Sequence, residues 1–203
     1  GILNGIDDDV WDPATDTLLH KNYGVEDAAV GKLANKQKLC EQFNLDVKKP
    51  LIVFIGRLVH DKSADLLPSV IGDALHYLNG KMNFLILGSG DTNIEWELGN
   101  MNSKYVGYFN SRIGYNEPLS HQMYAGADFL LMPSRVEPCG LNQFYAMRYG
   151  TVPIVRNIGG LRDSVKDIGE KGGYGISFYN ADTGDITHAI ARAMTLYDDV
   201  KKF

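Results

Sequence analysis

The fold of this chain is decided by the segment Phe129-Leu-Leu-Met-Pro-Ser-Arg-Val-Glu-Pro-Cys-Gly-Leu141. Its first four residues form an apolar run that predicts a buried strand, and the Pro and Gly residues after them predict a sharp turn. Residues 142–149 resemble a helix in composition. In α/β proteins, ligands bind where the carboxyl ends of strands meet the N–H groups at helix starts. Arg135 and Glu137 beside this turn therefore predict a site for an anionic substrate rich in hydroxyl groups.

The same alternation of strand and helix extends along the chain in both directions. Short apolar runs predict strands covered on both faces, at residues 51–55, 84–87, 104–108, 129–132, 152–155 and 175–178. Helical segments separate them, at residues 30–43, 64–78, 119–125, 142–149, 159–168 and 185–197. This order predicts an α/β fold with a doubly wound, Rossmann-like parallel sheet. Residues 1–28 lack a sustained period and are predicted to be an irregular lead-in, which leaves 29–203 as one domain.

Composition sets the outer limits of function. The chain has 203 residues, of which 44% are hydrophobic, so it is long enough for one well-buried core but too short for two full α/β domains. A net charge of −5 argues against a nucleic-acid or anionic-membrane surface. Two cysteines, Cys40 and Cys139, do not make a disulfide framework and favour a reducing compartment. No secretory signal is recognised and no apolar run approaches about 18 residues, so we predict a cytoplasmic domain.

Two cations follow the first predicted strand. Gly56 lets the backbone turn, and Arg57 and Lys62 lie on the loop that would face a ligand. Two cations at the carboxyl end of a strand can neutralise a diphosphate and stabilise it as a leaving group. The alternative is a solvated basic loop, since most surface Arg and Lys residues are simply exposed.

Glycines follow the second predicted strand, in Leu87-Gly-Ser-Gly-Asp91. A dinucleotide-binding fingerprint needs a third glycine where Asn93 stands, so a nicotinamide-dependent oxidoreductase is not predicted and a plain turn is favoured. Tyr115, in the next loop, could stack on a flat base or pin its loop to the core, and from this residue alone the second role is favoured.

Glu137 lies in the turn of the opening segment. Pro138 suits a first helical turn, and the N–H groups of Gly140, Leu141 and Asn142 could receive phosphate oxygens. Glu137 would then hold sugar hydroxyls or face positive charge at an anomeric carbon, or be only a carboxylate favoured at a helix start.

Four other features of the chain have simpler structural interpretations. Cys139 is predicted to be a packing residue, because no activating His is beside it in sequence. Asp128 and Arg135 are predicted to pair at the surface. Either Asp182 or Asp185 is predicted to cap the last helix. The diglycine turn in Asn157-Ile-Gly-Gly-Leu161 either completes the rim of the cleft or only joins a strand to a helix.

The order and spacing of these motifs resemble bacterial glycogen synthases and plant starch synthases, retaining glucosyltransferases of the two-domain GT-B fold. The matching segments are Gly1-Ile-Leu-Asn-Gly-Ile-Asp7, Trp11-Asp-Pro13, Gly56-Arg-Leu58, Lys62, Asp65-Leu-Leu67, Leu87-Gly-Ser-Gly90, Tyr124-Ala-Gly-Ala-Asp128, Met132-Pro-Ser-Arg135, Glu137-Pro-Cys-Gly-Leu141, Gln143, Tyr149-Gly-Thr151 and Gly159-Gly-Leu161. The resemblance covers nearly the whole chain and implies the C-terminal domain of such an enzyme, with residues 1–28 as its interdomain linker.

The resemblance also implies a role for each matching residue. Arg57 and Lys62 would bind the nucleotide diphosphate and assist its departure, and Glu137 would contact the donor glucose. The remaining substrate-binding residues would be Tyr115 against the base, Gly88 in the glycine turn, Cys139, Gly140 and Leu141 around the glucose, and Asn142 near phosphate. The implied donor is ADP-glucose or UDP-glucose, the acceptor is the end of an α-1,4-glucan, and neither a cofactor nor a metal is expected.

The chain departs from the family's pattern in two ways. The family usually has Gln-Lys-Gly where this chain has Asp61-Lys62-Ser63, and Asp61 could compete with phosphate for the lysine. An N-terminal domain with a Lys-Thr-Gly-Gly loop is expected before Gly1, and a closing helix after Phe203. We therefore predict weak nucleotide binding and little turnover for this chain alone. The alternative is a non-catalytic nucleotide- or glucan-binding module of the same fold.

Overall fold

The architecture is a six-stranded, fully parallel sheet in the order β3-β2-β1-β4-β5-β6. It is seen in a computed structural model that describes residues 4–199. The strands are β1 Leu51–Ile55, β2 Asn83–Gly88, β3 Phe109–Ile113, β4 Phe129–Met132, β5 Val152–Arg156 and β6 Ile176–Phe178. The predicted doubly wound, Rossmann-like fold is confirmed.

Within the described residues, seven α-helices connect and cover these strands. They are α1 Ala28–Phe43, α2 Leu67–Tyr77, α3 Thr92–Lys104, α4 Glu117–Gly126, α5 Asn142–Arg148, α6 Gly159–Ser164 and α7 Thr183–Asp199. Short 3-10 turns at His60–Lys62 and Ala64–Leu66 lie between β1 and α2. The Asp182 carboxylate accepts from the N–H of Asp185 at 2.9 Å, which identifies Asp182 as the cap of α7.

The sheet is buried on both faces because its central strands are continuous apolar runs. Successive residues of β1 point to opposite sides: Ile52 belongs to one apolar cluster, together with residues of α2 and α7. Val53 belongs to a second cluster, together with residues of α1 and α4. Two layers of helices on one parallel sheet follow directly from this pattern.

The strand predicted at 104–108 is wrong. Lys104 ends α3, and Val106 and Tyr108 in the turn beyond it are exposed. The true strand, β3, lies at the edge of the sheet and, among residues 4–199, pairs only with β2, so its Asn, Ser and Arg residues reach solvent. Helix α3 was not predicted, and the helix predicted at 159–168 ends at Ser164.

The lead-in contains turns and bends but neither a helix nor a strand in residues 4–27. It is nevertheless packed against the domain. Tyr23 is buried, and its hydroxyl donates to the carbonyl of Tyr149 at 2.8 Å. Asp16 is also buried, and its carboxylate accepts from the Tyr149 hydroxyl at 2.6 Å. The role of residues 1–28 as an interdomain linker stays a prediction. Residues 1–3 of the first matching segment lie outside the described residues.

None of the helices in residues 4–199 is long and apolar enough to cross a membrane.

Candidate functional site

Two adjoining cavities open at the carboxyl edge of the sheet, beneath the loops that follow β1, β2, β3 and β4. Their common wall consists of Ile55, Gly56 and Asn142. Parallel strands bring these loops to one edge, although they are far apart in sequence. The two cavities differ sharply in chemistry, and together they form one cleft.

The first cavity, of about 320 Å³, is ringed by the aromatic side chains of Trp11, Tyr115, Tyr124 and Tyr145. We call it the aromatic cavity. Trp11 stacks on Tyr145 with ring centroids 3.8 Å apart, so the wall is a rigid slab of ring surface. A flat, apolar ring system is the ligand that such a wall suits best.

Tyr115 is the most exposed aromatic residue of this cavity, with 86% of its surface accessible. Its hydroxyl donates to a carboxylate oxygen of Glu117 at 3.0 Å, and this hydrogen bond raises the pKa of the phenol. The interpretation of Tyr115 as a residue that pins its loop to the core is therefore wrong. The ring is free to lie against a ligand.

The second cavity, of about 350 Å³, is polar and includes Lys62, Ser134, Glu137, Gly140 and Leu141 in its lining. We call it the polar cavity. Lys62 and Glu137 form a direct ion pair in its lining, and the Ser134 hydroxyl donates to the same Glu137 oxygen at 3.2 Å. A buried carboxylate opposite an ammonium group can hold hydroxyls on one side and phosphate on the other.

The position of Glu137 excludes a simple helix-start role. Helix α5 begins only at Asn142, so neither Glu137 nor Pro138 lies in its first turn. Glu137 is only 8% exposed and is held by its ion pair and by Ser134.

Two pairs of glycines shape the cleft by close backbone contact. A Cβ atom on Gly88 would lie 2.0 Å from the carbonyl oxygen of Gly56, so the end of β2 accepts only glycine there. Gly88 also lines the aromatic cavity. The diglycine turn packs behind Glu137: the N–H of Gly160 donates to the Glu137 carbonyl at 3.0 Å, and a Cβ on Gly159 would lie 2.1 Å from the same oxygen.

The structure distributes the remaining predicted residues unevenly. Arg57 lines the aromatic cavity, and Cys139 is not in the lining of either cavity. The backbone N–H of Asn4 donates to the Cys139 sulfur at 3.4 Å. The side-chain amide of Asn142 donates to the Ile55 carbonyl at 2.7 Å, which fixes it to the end of β1.

The predicted surface pair of Asp128 and Arg135 is wrong. Asp128 forms an ion pair with Lys36 at 2.6 Å, and Arg135 forms one with Asp65. Asp61 likewise has no ion pair with Lys62 in the described residues, since the partner of Lys62 is Glu137.

Several residues of the cleft were missed by sequence reasoning. Trp11 and Tyr124 lie in segments that match the family, and Tyr145 lies in a predicted helix, but the sequence assigned none of the three to the cleft. Trp11 is stacked on the buried ring of His121 as well as on Tyr145, with centroids 3.8 Å apart in each case. Tyr124 is on α4 and Tyr145 on α5, and no sequence signal links either tyrosine to residue 11. No group of His, Cys, Asp and Glu in the described part could hold a metal ion.

Comparisons with known proteins agree with this architecture. The sequence pattern of the family "Glycosyl transferases group 1" matches residues 35–203. A glycogen synthase of Flavobacterium johnsoniae is 55% identical over 203 residues, which is 100% of this chain and 43% of that protein. Starch synthase 2 of Arabidopsis thaliana is 40% identical over 100% of this chain and 26% of its own length.

Solved structures give the same result. The catalytic domain of starch synthase IV from Arabidopsis thaliana, bound to ADP and acarbose, matches with a TM-score of 0.89 and 38% identity, over 97% of this chain and 41% of that one. The C-terminal domain of LpcC from Francisella tularensis matches with a TM-score of 0.64 and 15% identity, over 94% and 88%, which shows the fold alone. This chain thus spans less than half the length of the glycogen and starch synthases that it matches. The predicted likeness to those synthases is confirmed, and the chain belongs to the glycosyl transferases group 1 family.

Proposed function

We propose that this chain is the donor-binding half of a glucan synthase. The complete protein would transfer glucose from ADP-glucose, or from UDP-glucose, to the non-reducing end of an α-1,4-glucan with retention at the anomeric carbon. Support comes from the glycogen and starch synthases that resemble the chain over nearly its whole length. The solved starch synthase IV domain that it matches was bound to ADP and acarbose.

The observation that carries the proposal is the pairing of the two cavities. An aromatic cavity and a polar cavity share a wall, and their combined size suits a nucleotide joined to a hexose. The base would occupy the aromatic cavity against Tyr115. The glucose would occupy the polar cavity, with its hydroxyls on Glu137 and its walls formed by Gly140 and Leu141.

The diphosphate would lie across the common wall, between Arg57 and Lys62. Both cations would neutralise the charge that develops on the departing nucleoside diphosphate. Lys62 and Glu137 form a direct ion pair in the lining of the polar cavity, and the arriving diphosphate would compete with Glu137 for the Lys62 ammonium group. Asn142, anchored to the end of β1, would border the phosphate.

The chain would act together with an N-terminal domain that closes over the cavities. Such closure excludes water and completes a site of this kind, so this chain alone is expected to bind nucleotide weakly and to turn over little. Location in the cytoplasm stays a prediction.

Calorimetric titration of ADP into the 203-residue chain tests the nucleotide site. We expect measurable binding at millimolar ligand. Replacing Tyr115 by alanine should weaken it about 2- to 10-fold, since contacts between aromatic rings contribute about 0.5–1.5 kcal/mol. The matched control is Tyr77→Ala, which removes an exposed tyrosine from the far end of α2 and should leave affinity unchanged. An absence of binding would contradict the proposal.

The alternative of a non-catalytic module rests on Asp61 and Ser63. It is tested by joining the chain to the N-terminal half of a related synthase and assaying transfer of labelled glucose to glycogen. A chimera that binds ADP but transfers no glucose would favour the module.

A further inference from the structure

The loop that carries Lys62 is held in place by a residue that lines neither cavity. Both charged oxygens of Asp65 accept from the Arg135 guanidinium, at 2.5 and 2.9 Å. The same guanidinium donates to the carbonyl of His60 at 2.8 Å. The Arg135 side chain therefore contacts the loop after β1 at two residues, His60 and Asp65, which lie on either side of Lys62.

Backbone hydrogen bonds also join the loop after β4 to the loop that carries Lys62. The N–H groups of Arg135 and Val136 both donate to the carbonyl of Asp61, at 2.9 and 3.2 Å. The His60 and Asp61 carbonyls, immediately before Lys62, thus both accept hydrogen bonds from the loop after β4, and the His60 carbonyl also accepts from the N–H of Ser63. That loop also carries Glu137, two residues after Arg135, so these contacts fix the separation between Glu137 and Lys62.

The Lys62 turn needs external support because it is a 3-10 turn of only three residues, His60–Lys62. Such turns have poor internal hydrogen-bond geometry and are rarely stable alone. The next residue, Ser63, has a φ of 55°, which is unfavourable for a residue other than glycine. Contacts from outside the turn must determine where Lys62 points.

The loop that carries Arg135 is itself anchored to the sheet. Arg156, at the end of β5, donates to the carbonyl of Arg135 at 3.1 Å and to that of Tyr179 at 2.8 Å. A rigid strand therefore supports Arg135, and Arg135 supports the turn. The Arg135 guanidinium is committed to Asp65 and His60 and is not part of the lining of either cavity, so direct contact with a donor in those cavities is not its role.

We propose that Arg135 is a positioning residue that aims Lys62 at the diphosphate of the donor. This inference rests on the proposed function. It makes a selective prediction: loss of Arg135 should weaken binding of the terminal phosphate of a nucleoside diphosphate but leave the contacts to base, ribose and first phosphate intact.

The test compares the affinities of ADP and AMP by calorimetry on the 203-residue chain. For Arg135→Gln we expect the preference for ADP over AMP to fall about tenfold, a change of about 1.4 kcal/mol, with AMP affinity unchanged. Arg135→Lys should show a similar loss, because an ammonium group cannot make the two-point contact with Asp65. In a Lys62→Met background, Arg135→Gln should cause no further change in the preference.

Two further variants serve as controls for folding. Arg192→Gln breaks another Arg–Asp pair, with Asp167. Neither residue lines either cavity, so this variant should leave the preference unchanged. If Arg135→Gln does not fold, Asp65→Asn removes the negative charge that Arg135 contacts. This variant should also lower the preference for ADP over AMP.

The outcomes separate the two proposals. A wild-type chain that does not bind ADP, or shows no preference that depends on Lys62, overturns the proposed function and this inference with it. A wild-type preference that survives in Arg135→Gln, or an equal loss of ADP and AMP affinity, overturns the positioning role alone.

Discussion

Replacing Ser63 by glycine is expected to stabilise the chain by about 1–3 kcal/mol. Ser63 is fully buried with a φ of 55°, and its hydroxyl has no hydrogen-bond partner among the described residues. Glycine relieves a left-handed conformation that costs about 1–2 kcal/mol and removes an unsatisfied buried hydroxyl that costs about 1–3 kcal/mol. Against these gains stand about 0.5–1 kcal/mol of backbone entropy and about 0.8 kcal/mol for one buried methylene.

Urea unfolding followed by circular dichroism measures the change. The midpoint should rise at an unchanged slope, and the melting temperature should rise by about 2–4 °C per kcal/mol for a chain of this size. Ser63→Ala is the matched variant, because it removes the hydroxyl but keeps the backbone strain. An unchanged or lower midpoint for Ser63→Gly would refute the reasoning, and a full gain from alanine alone would refute the part assigned to strain. The resemblance to synthases with glycine at this position points the same way.

Two other predictions concern stability. Burial raises the pKa of Asp167, but hydrogen bonds from Arg192 and from backbone amides lower the pKa by a larger amount. The pKa therefore lies below its usual range. The stability from this carboxylate is present above the unfolded pKa of about 3.9 and is lost as the pH falls toward the folded pKa. Asp167→Asn should therefore lower the free energy of unfolding, measured in urea at pH 7, by about 1–2 kcal/mol. The difference between the two chains should shrink at pH 3. A difference that stays constant with pH would contradict this prediction. Gly159→Ala should lower the melting temperature more than Gly172→Ala. Both glycines have positive φ, but only at position 159 would the added Cβ atom clash, 2.1 Å from the Glu137 carbonyl oxygen. Equal losses would contradict this clash.

The sequence predicts the centre of this fold better than its edge. Strands β1, β2 and β4 are continuous apolar runs because helices cover both of their faces. Strand β3, Phe109–Ile113, is an edge strand whose polar residues carry no such pattern. Helix α3 contains Gly99 and several asparagines, which lower helix propensity, so its only clear local signal is the Asp91 cap.

The candidate site shows the same division. That Lys62 and Glu137 lie close together follows from parallel strands whose carboxyl ends meet, as the ion pair between them shows. The contribution of Trp11 does not follow from sequence, because it depends on packing against Tyr145 across more than a hundred residues. The partner of Arg135 was equally hidden, since Asp65 precedes it by 70 residues and competes with several nearer carboxylates.

The burial of Asp16 limits where this chain can bend. Its carboxylate accepts from Tyr149 and contacts His121, while Trp11 is stacked on His121 and Tyr145. Rotation of the backbone between residues 11 and 16 would strip a charged group of both partners, at a cost of several kcal/mol. The second half of the lead-in therefore moves as one piece with the sheet. If a preceding domain swings over the cavities, we expect its pivot to lie before residue 11.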